Sequence, residues 1–309
     1  MRTAVVALLG LTACGPPLPP RSLPETSHVR RGTTEASLEA LLEAAAEADG
    51  VCVGEQHDDP AHHRLQHAIL EDVVALAPHA EWAVGFEMFQ RPAQPALDEF
   101  GRGDIDAATL KRKSHWDERW GFGFEMYQPL LETGHAQGLG LLALNAPREL
   151  TQAVARGGLE GLSVEARARL PELDLANADH RRFFFTAMGF DDPASPHGGD
   201  GGGHGGMDPE HFYAAQVTWD ETMAETASNW LQAPSRKIVI VAGNGHCHRV
   251  AIPDRIQRRR PDRRVLSVVV QSGEEGMPEG MKADWVVTLP SATDDDGTAA
   301  APHPVPEGS

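Results

Sequence analysis

Five short apolar runs, each ending at polar or glycine residues, constrain the fold of this chain most strongly. They are apolar almost throughout and do not alternate with polar residues, which is typical of parallel strands buried on both faces. Helical spacing of apolar residues separates most of them. We therefore predict an α/β domain with a mostly parallel central sheet flanked by helices. The runs are Val51–Val53, Trp82–Phe86, Leu139–Leu144, Ile238–Ala242 and Val265–Val270.

The predicted helices lie before and between these strands. A helix over Thr34–Ala48 has Thr33 or Thr34 as its cap and leucines at helical spacing. The pattern predicts three connecting helices, at Pro60–Leu76, Asp208–Leu231 and Pro253–Arg260. Such crossovers return the chain to the same edge of the sheet.

A segment of different character interrupts this alternation between about Pro147 and Met207. Three short helices are expected at Arg148–Val154, Ser163–Leu170 and Asp179–Met188. After them, seven of the ten residues from His197 to Gly206 are glycine. We predict a helical and glycine-rich insertion over the C-terminal edge of the strands.

The two ends of the chain differ in composition from the predicted domain. Residues 1–13 resemble a bacterial lipoprotein signal peptide, with lipid attached to Cys14 after cleavage. Residues 14–32 then form a proline-rich tether, residues 33–290 the α/β domain, and residues 291–309 a disordered acidic tail. We expect an exported protein anchored to a membrane by lipid. Gly15 favours the outer membrane, because an aspartate at this position commonly retains lipoproteins in the inner membrane.

The formal net charge of −18 limits the partners of the chain. A strongly acidic surface disfavours nucleic acid, so no nucleic-acid partner is expected. A local group of arginines between Arg255 and Arg264 is an exception, and we interpret it as a solvated helix end and turn. Apart from Cys14, the chain has Cys52 and Cys247, which we expect to be free, buried thiols.

Polar side chains follow four of the predicted strands at the point where each strand ends. Glu55 and His57 follow the first, and Glu87, Asn145 and His246 follow later ones. Because the carboxyl ends of parallel strands meet at one edge of a sheet, we expect these side chains to converge. Carboxylates beside imidazoles can fix loops, act as general bases or hold a metal. The residue types leave these roles open.

Several motifs in order resemble the ChaN-like haem-binding lipoproteins, from about residue 33 to residue 290. This family is similar in its core to the Tiki proteases, TraB proteins and erythromycin esterases. The motifs that carry the resemblance are Gly54–His57 with Asp58, Pro60–His63, Gly85–Phe89, Trp116–Trp120 with Gly121 and Phe122, Leu144–Arg148, Ala215–Ala224 and Gly243–His246.

The resemblance implies haem as the cofactor and a part in bacterial haem and iron uptake. Haem needs an axial ligand, a flat apolar slot and partners for its propionates. We predict Tyr213 as the iron ligand, because it lies on one polar stripe of a helix with Gln216 and Asp220. A haem shared between subunits would make a homodimer natural. The predicted haem-binding set is Tyr213, His211, Gln216, Asp220, Asn145 and His204, with His197 as a further candidate.

The resemblance also implies an alternative of a different class. Two Gly-x-x-His motifs and a glutamate are kept, and equivalents in hydrolytic relatives hold a metal or activate water. In that case Glu55, His57, Glu87 and His246 would be catalytic, and a divalent transition metal would bind His57, Glu87 and His246. The spacing itself does not assign metal ligands. We favour a binding protein over a metal-dependent hydrolase.

Overall fold

The computed structural model describes residues 27–190, 208–273 and 276–291. The predicted signal peptide, Cys14, the glycine-rich part of the insertion with His197 and His204, and all but the first residue of the predicted acidic tail lie outside the described residues. Among the helices that are described, none has the length and apolar character needed to cross a membrane.

The described residues form one mixed sheet of eight strands in the order β2-β1-β8-β7-β3-β6-β4-β5. β1 is antiparallel to both of its neighbours, and the other neighbouring pairs are parallel. The mostly parallel central sheet is therefore confirmed. The strands are β1 His28–Arg31, β2 Thr34–Ala36, β3 Gly50–Val53, β4 Glu81–Gln90, β5 Gly140–Asn145, β6 Arg236–Val241, β7 Val265–Ser272 and β8 Trp285–Leu289.

Helices fill the connections much as the apolar spacing predicts, including three short helices in the insertion. The helices are α1 Leu38–Glu47, α2 Pro60–Leu76, α3 Gln94–Gly101, α4 Ala107–Lys113, α5 Trp116–Arg119, α6 Gln128–Ala136, α7 Arg148–Gly157, α8 Val164–Arg167, α9 Ala178–Ala187, α10 Pro209–Trp230, α11 Asn244–Cys247 and α12 Ile252–Arg259. Short 3-10 turns form at Arg91–Ala93 and Phe124–Met126.

The start of the domain differs from the prediction. His28–Arg31, which precedes the predicted domain start at residue 33, pairs with β8 as strand β1. The predicted helix start at Thr33 or Thr34 is wrong, since Thr34–Ala36 pairs with β1. The first helix instead begins after Ser37, whose hydroxyl accepts a hydrogen bond from the Ala40 amide at 3.1 Å. Serine at this position satisfies an amide that the helix leaves free.

The two faces of the sheet are covered by different helices. On one face, Val51 and Val53 of β3 pack with α1 to α6 in the largest apolar core. On the other face, Cys52 of β3 packs with α10 and α12. Alternate residues of a strand point to opposite faces, so β3 is buried on both sides. The continuous apolar runs arise from this two-sided burial.

The chain leaves β3 and β6 on opposite faces of the sheet, although these two strands are neighbours. After β3, α2 leads past β6 to β4 on the face of the largest core. After β6, α11 and α12 lead past β3 to β7 on the other face. Diverging connections leave a crevice at the carboxyl ends of two such strands. The fold therefore places a crevice between Gly54–His57 and Gly243–His246.

A disulfide joins β3 to α11 on the second face. Cys52 and Cys247 are bonded, with their Cα atoms 5.2 Å apart. The prediction of two free thiols is wrong, because β3 and β6 are adjacent and the turn after β6 brings Cys247 to β3. A Cα separation in this range suits a disulfide. The bond connects the segments that carry the two Gly-x-x-His motifs.

Candidate functional site

The first motif holds a buried carboxylate at the centre of three contacts. The Glu55 side chain lies at the end of β3, and Glu55 is only 2% exposed. Its Oε1 is 2.8 Å from His57 Nδ1 and accepts a hydrogen bond from the Tyr127 hydroxyl at 2.7 Å. Its Oε2 lies 3.2 Å from His63 Nδ1. Burial alone would raise the pKa of Glu55, but the hydrogen bonds with His57 and His63 outweigh it and lower the pKa to about 2.

His57 is the more exposed imidazole of the site, with 27% of its side chain accessible. Its ring lies 4.8 Å from that of Trp120 and 5.0 Å from that of Phe122. Burial lowers the pKa of His57, yet the hydrogen bond to Glu55 and the charge of Glu87 outweigh it, so the pKa is raised. Nδ1 faces a carboxylate, whereas Nε2 has no hydrogen-bond partner among the described residues.

The second motif places an imidazole between two carboxylates. His246 Nδ1 is 2.6 Å from Asp220 Oδ1, and its Nε2 is 3.3 Å from Glu87 Oε1. Both ring nitrogens must donate a proton to such partners, so His246 is an imidazolium. Burial opposes the charge, but Glu87 and Asp220 outweigh it and raise the pKa of His246 to about 10. Despite burial, the His246 charge also holds the pKa of Glu87 and of Asp220 below its ordinary value.

The glycine that opens the second motif lies in a tight contact with the first motif. The Gly243 amide donates a hydrogen bond to Glu87 Oε2 at 2.7 Å. A Cβ at Gly243 would lie 3.0 Å from His57 Cε1 and 3.2 Å from His57 Nε2. The two motifs therefore touch, and the absence of a side chain at Gly243 leaves room for the His57 ring.

Between the two motifs lies a cleft of about 450 Å³. His57 and His246 face it together with the amide side chains of Gln56, Gln216 and Gln271, and Met281 adds apolar surface. The predicted convergence of Glu55, His57, Glu87 and His246 is observed. Asn145 lies beside them, where its amide donates to the Glu87 carbonyl oxygen at 2.9 Å.

The first turn of α2 supports the Gly54–His57 loop from behind. The Asp59 side chain caps this helix by accepting from the Ala61 amide at 2.8 Å. His62 Nδ1 accepts a hydrogen bond from the Gln56 amide at 2.9 Å, and His63 Nε2 donates to the His57 carbonyl oxygen at 3.1 Å. Both imidazoles are buried. Histidines so close to a helix start were the sequence signal for this support, but their partners depend on the fold.

The predicted haem-binding residues of α10 do not act as one set. Gln216 and Asp220 face His246, as the predicted stripe requires. Tyr213 instead packs among the rings of α9 and is only 1% exposed. Its hydroxyl lies 3.3 Å from His180 Nδ1, and burial raises the pKa of Tyr213 to about 12. His211 lies 3.3 Å from Glu160. Neither Tyr213 nor His211 lines the cleft.

The enclosed position of Tyr213 corrects the interpretation of its hydroxyl as a group presented to a ligand. Iron could reach this oxygen only if α9 moved, since His180 and the α9 aromatic rings surround it. Trp120 and Phe122 beside His57 were not assigned to the site from the sequence. Their place in a motif that carries the family resemblance and their nearness in sequence to Tyr127 were the available signals. The contact with His57 depends on tertiary structure.

The predicted metal set of His57, Glu87 and His246 does not have the geometry of a metal site. Within the described ranges, no three or more His, Cys, Asp or Glu side chains are arranged to hold a metal ion. His246 has no free nitrogen lone pair, since both nitrogens face carboxylates. The arrangement therefore does not favour the metal-dependent hydrolase.

The fold and the cleft define an α/β protein with two carboxylate-paired histidines at the carboxyl edge of its sheet. Residues 41–256 match the protein family described as haem-binding uptake, Tiki superfamily, ChaN. The chain belongs to this family. A comparison with curated protein sequences gave no significant match.

Solved structures of similar fold include ChaN of Campylobacter jejuni, described by its cofacial haem binding. It is 18% identical, has a TM-score of 0.63, and the match covers 87% of this chain and 98% of that one. A mutant of the erythromycin esterase EreC in its open conformation is 13% identical, with a TM-score of 0.45 and coverage of 79% and 78%. The type III effector HopBA1 is 13% identical, with a TM-score of 0.39 and coverage of 81% and 91%.

Proposed function

We propose that this chain binds haem and takes part in bacterial haem and iron uptake. Membership of the ChaN family supports this proposal, as does the cofacial haem binding described for the similar structure from Campylobacter jejuni. We further propose that lipid on Cys14 holds the protein at a membrane, with the outer membrane favoured. The disulfide between Cys52 and Cys247 supports export, because such bonds persist in oxidising compartments.

The observation that carries the haem proposal is the surroundings of His57. An imidazole that ligates a metal usually has its other nitrogen bonded to a carboxylate or carbonyl group, which fixes the ring and raises its basicity. Glu55 does this for His57 Nδ1 at 2.8 Å, and Nε2 has no hydrogen-bond partner among the described residues. We therefore place His57 as the haem iron ligand. Bound haem supplies the iron that the protein would carry.

The rest of the cleft fits the remaining needs of haem. Outside the lining of the cleft itself, the half-buried rings of Trp120 and Phe122 contact His57, and a third half-buried ring, Trp219, lies 6.4 Å from His246. These surfaces suit the flat apolar body of a porphyrin. Gln56, Gln216 and Gln271 face the cleft and offer amide donors to the propionates.

A hemin titration followed by visible absorption tests this proposal on the full chain. We expect a saturable Soret band that is lost or shifted in His57→Ala and kept in Tyr213→Phe. His67→Ala is a matched control, because His67 is a partly exposed histidine of α2 that contacts Thr133 and does not line the cleft. If the Soret band is lost only in Tyr213→Phe, Tyr213 is the iron ligand and His57 is not. An absence of saturable binding in the native chain would overturn the haem proposal itself.

We also propose that haem is shared by two copies of the chain. The partly exposed position of His57 at an open cleft supports this, since one side of a haem bound there would remain uncovered. Light scattering during size-exclusion chromatography, with and without one equivalent of hemin, measures the mass. A dimer that forms only with haem is expected, and a haem-loaded monomer would exclude sharing.

A further inference from the structure

A second pocket lies at the opposite edge of the sheet from the haem cleft. It forms where β7 and β8 begin and antiparallel β1 ends, and it has a volume of about 370 Å³. Arg31, Arg249 and Arg264 line it, together with Gln257, Asp284 and Trp285. The proposed haem site uses none of these residues, so the pocket calls for a separate explanation.

Two of the three arginines in this pocket lack a carboxylate partner among the described residues. Arg249 pairs with Asp284, which also accepts from the Ser267 amide at 3.0 Å. The Arg31 guanidinium lies 5.5 Å from the centre of the Trp285 ring, a cation–π contact that positions it. The Arg264 side chain is exposed and has no ion pair with any described residue.

The lack of a carboxylate partner among the described residues sets Arg264 apart from the arginines beside it in the chain. The chain has 45 acidic residues against 27 lysines and arginines, so carboxylate partners are abundant. The neighbouring arginines have them, because Arg263 pairs with Asp49 at 2.9 Å and the buried Arg255 lies 3.4 Å from Glu221. The prediction that this arginine group is only a solvated turn is therefore wrong for Arg255 and Arg263. Arg264 and Arg31 therefore line the pocket without a carboxylate partner among the residues that the structure describes.

We propose that this pocket binds a phosphate group, with the guanidinium groups of Arg31 and Arg264 as its main partners. A guanidinium presents planar, paired N–H donors that match phosphate oxygens, and two of them can neutralise a dianion. Arg249 adds donors at the rim while it keeps Asp284 paired. The phosphate belongs either to a small solute or to a phospholipid headgroup, since both present the same oxygens.

Isothermal calorimetry of the full chain with inorganic phosphate tests the site. The double variant Arg31→Ala/Arg264→Ala should bind phosphate roughly tenfold more weakly or worse, because two charge-assisted contacts are lost. Arg31→Lys/Arg264→Lys keeps the positive charges but loses the paired N–H donors. Its phosphate affinity should therefore lie between those of the native chain and the alanine variant. The matched control is Arg102→Ala/Arg182→Ala, which removes two exposed arginines that pair with Asp104 and Asp179.

The proposal is overturned if the native chain shows no phosphate binding, or if the control loses as much affinity as the pocket variant. Thermal melts of each variant check that the exposed substitutions leave the fold intact. Flotation with phosphatidylcholine vesicles, with and without phosphatidic acid, then separates the two sources. Recruitment by phosphatidic acid that needs Arg31 and Arg264 identifies a headgroup, and phosphate binding without recruitment identifies a soluble phosphate.

Discussion

His57 and His246 occupy equivalent positions in the two Gly-x-x-His motifs, but their imidazoles have different surroundings. His246 faces carboxylates on both nitrogens, whereas His57 faces a carboxylate only on Nδ1 within the described part of the chain. The Gly-x-x-His sequence alone does not predict this difference, because the carboxylates of Glu87 and Asp220 that contact His246 come from other elements. If Nε2 loses its proton, His57 keeps its contact with Glu55 through Nδ1, whereas His246 would also give up its contact with Glu87.

Haem affinity should therefore depend on pH through His57. Because the pKa of His57 is raised, a proton competes with iron for this imidazole at pH values above those at which an ordinary histidine titrates. Affinity should be full at a pH above this raised pKa and should fall as pH drops through it. In Glu55→Gln the hydrogen bond to a carboxylate is lost, so the fall should move to lower pH. Hemin titrations between about pH 5 and about pH 9 measure both curves. Superimposable curves would show that this pair does not control binding.

The contact between the two motifs gives a second prediction at this scale. Gly243→Ala places a methyl group 3.0 Å from His57 Cε1, so the ring must shift away from its position. We expect haem affinity to fall by roughly tenfold, since a displaced ligand loses part of its bond. Gly245→Ala is the matched control, because a Cβ there meets nothing within 4 Å. Equal affinities in the two variants would remove His57 from the iron site.

The elements of the sheet could be predicted where burial on both faces leaves a clear pattern. Strands β3 to β7 have this pattern and were predicted. β1 was missed because only Val29 of its four residues is buried, so polar residues hide the strand. Trp285–Leu289 is nearly all buried, and its apolar run would have revealed β8. Tyr213 shows the limit for helices, since spacing gives the residues that share a stripe but not the neighbour that each one faces.

The disulfide gives the prediction that belongs to the elements it joins. It links β3 to α11 across 195 residues. Removing a bond that closes such a long loop raises the conformational entropy of the unfolded chain. Cys52→Ala/Cys247→Ala should lower the free energy of unfolding by about 2–5 kcal/mol, measured by urea denaturation. The native chain unfolded with a strong reductant should approach the variant. If the midpoints of the oxidised chain and the variant coincide, the bond does not form in solution.

The site depends on strand order in the whole molecule, which the sequence does not reveal. Gly54–His57 and Gly243–His246 lie far apart in the chain, yet β3 and β6 are neighbours. Polar residues at strand ends predict that the site lies at one edge of the sheet, but they do not predict which strands are neighbours. For the same reason Cys52 and Cys247 were expected to be free thiols, although they form a disulfide. Parallel sheets allow many orders with the same local patterns, so adjacency has to come from the folded structure.

Membrane attachment is the prediction that concerns the whole molecule. The proposed lipid on Cys14 would attach the chain to a membrane through its acyl chains. Each buried CH₂ group of an acyl chain contributes about 0.8 kcal/mol, and stable anchoring takes more than one chain. Cys14→Ala should therefore move the protein from the membrane fraction to the soluble fraction of a bacterial host. Intact mass spectrometry should show the lipid on the native chain alone.

The experiment needs a control in which the other cysteines are replaced, because the chain has three cysteines. Cys52→Ala/Cys247→Ala keeps Cys14 and should stay in the membrane fraction with its lipid, even though it is less stable. A Cys14→Ala protein that remains membrane-bound would contradict lipid anchoring and would direct attention to the phosphate pocket around Arg31 and Arg264. Combining Cys14→Ala with Arg31→Ala/Arg264→Ala then separates the two modes of attachment, since headgroup binding depends on salt and acyl anchoring does not.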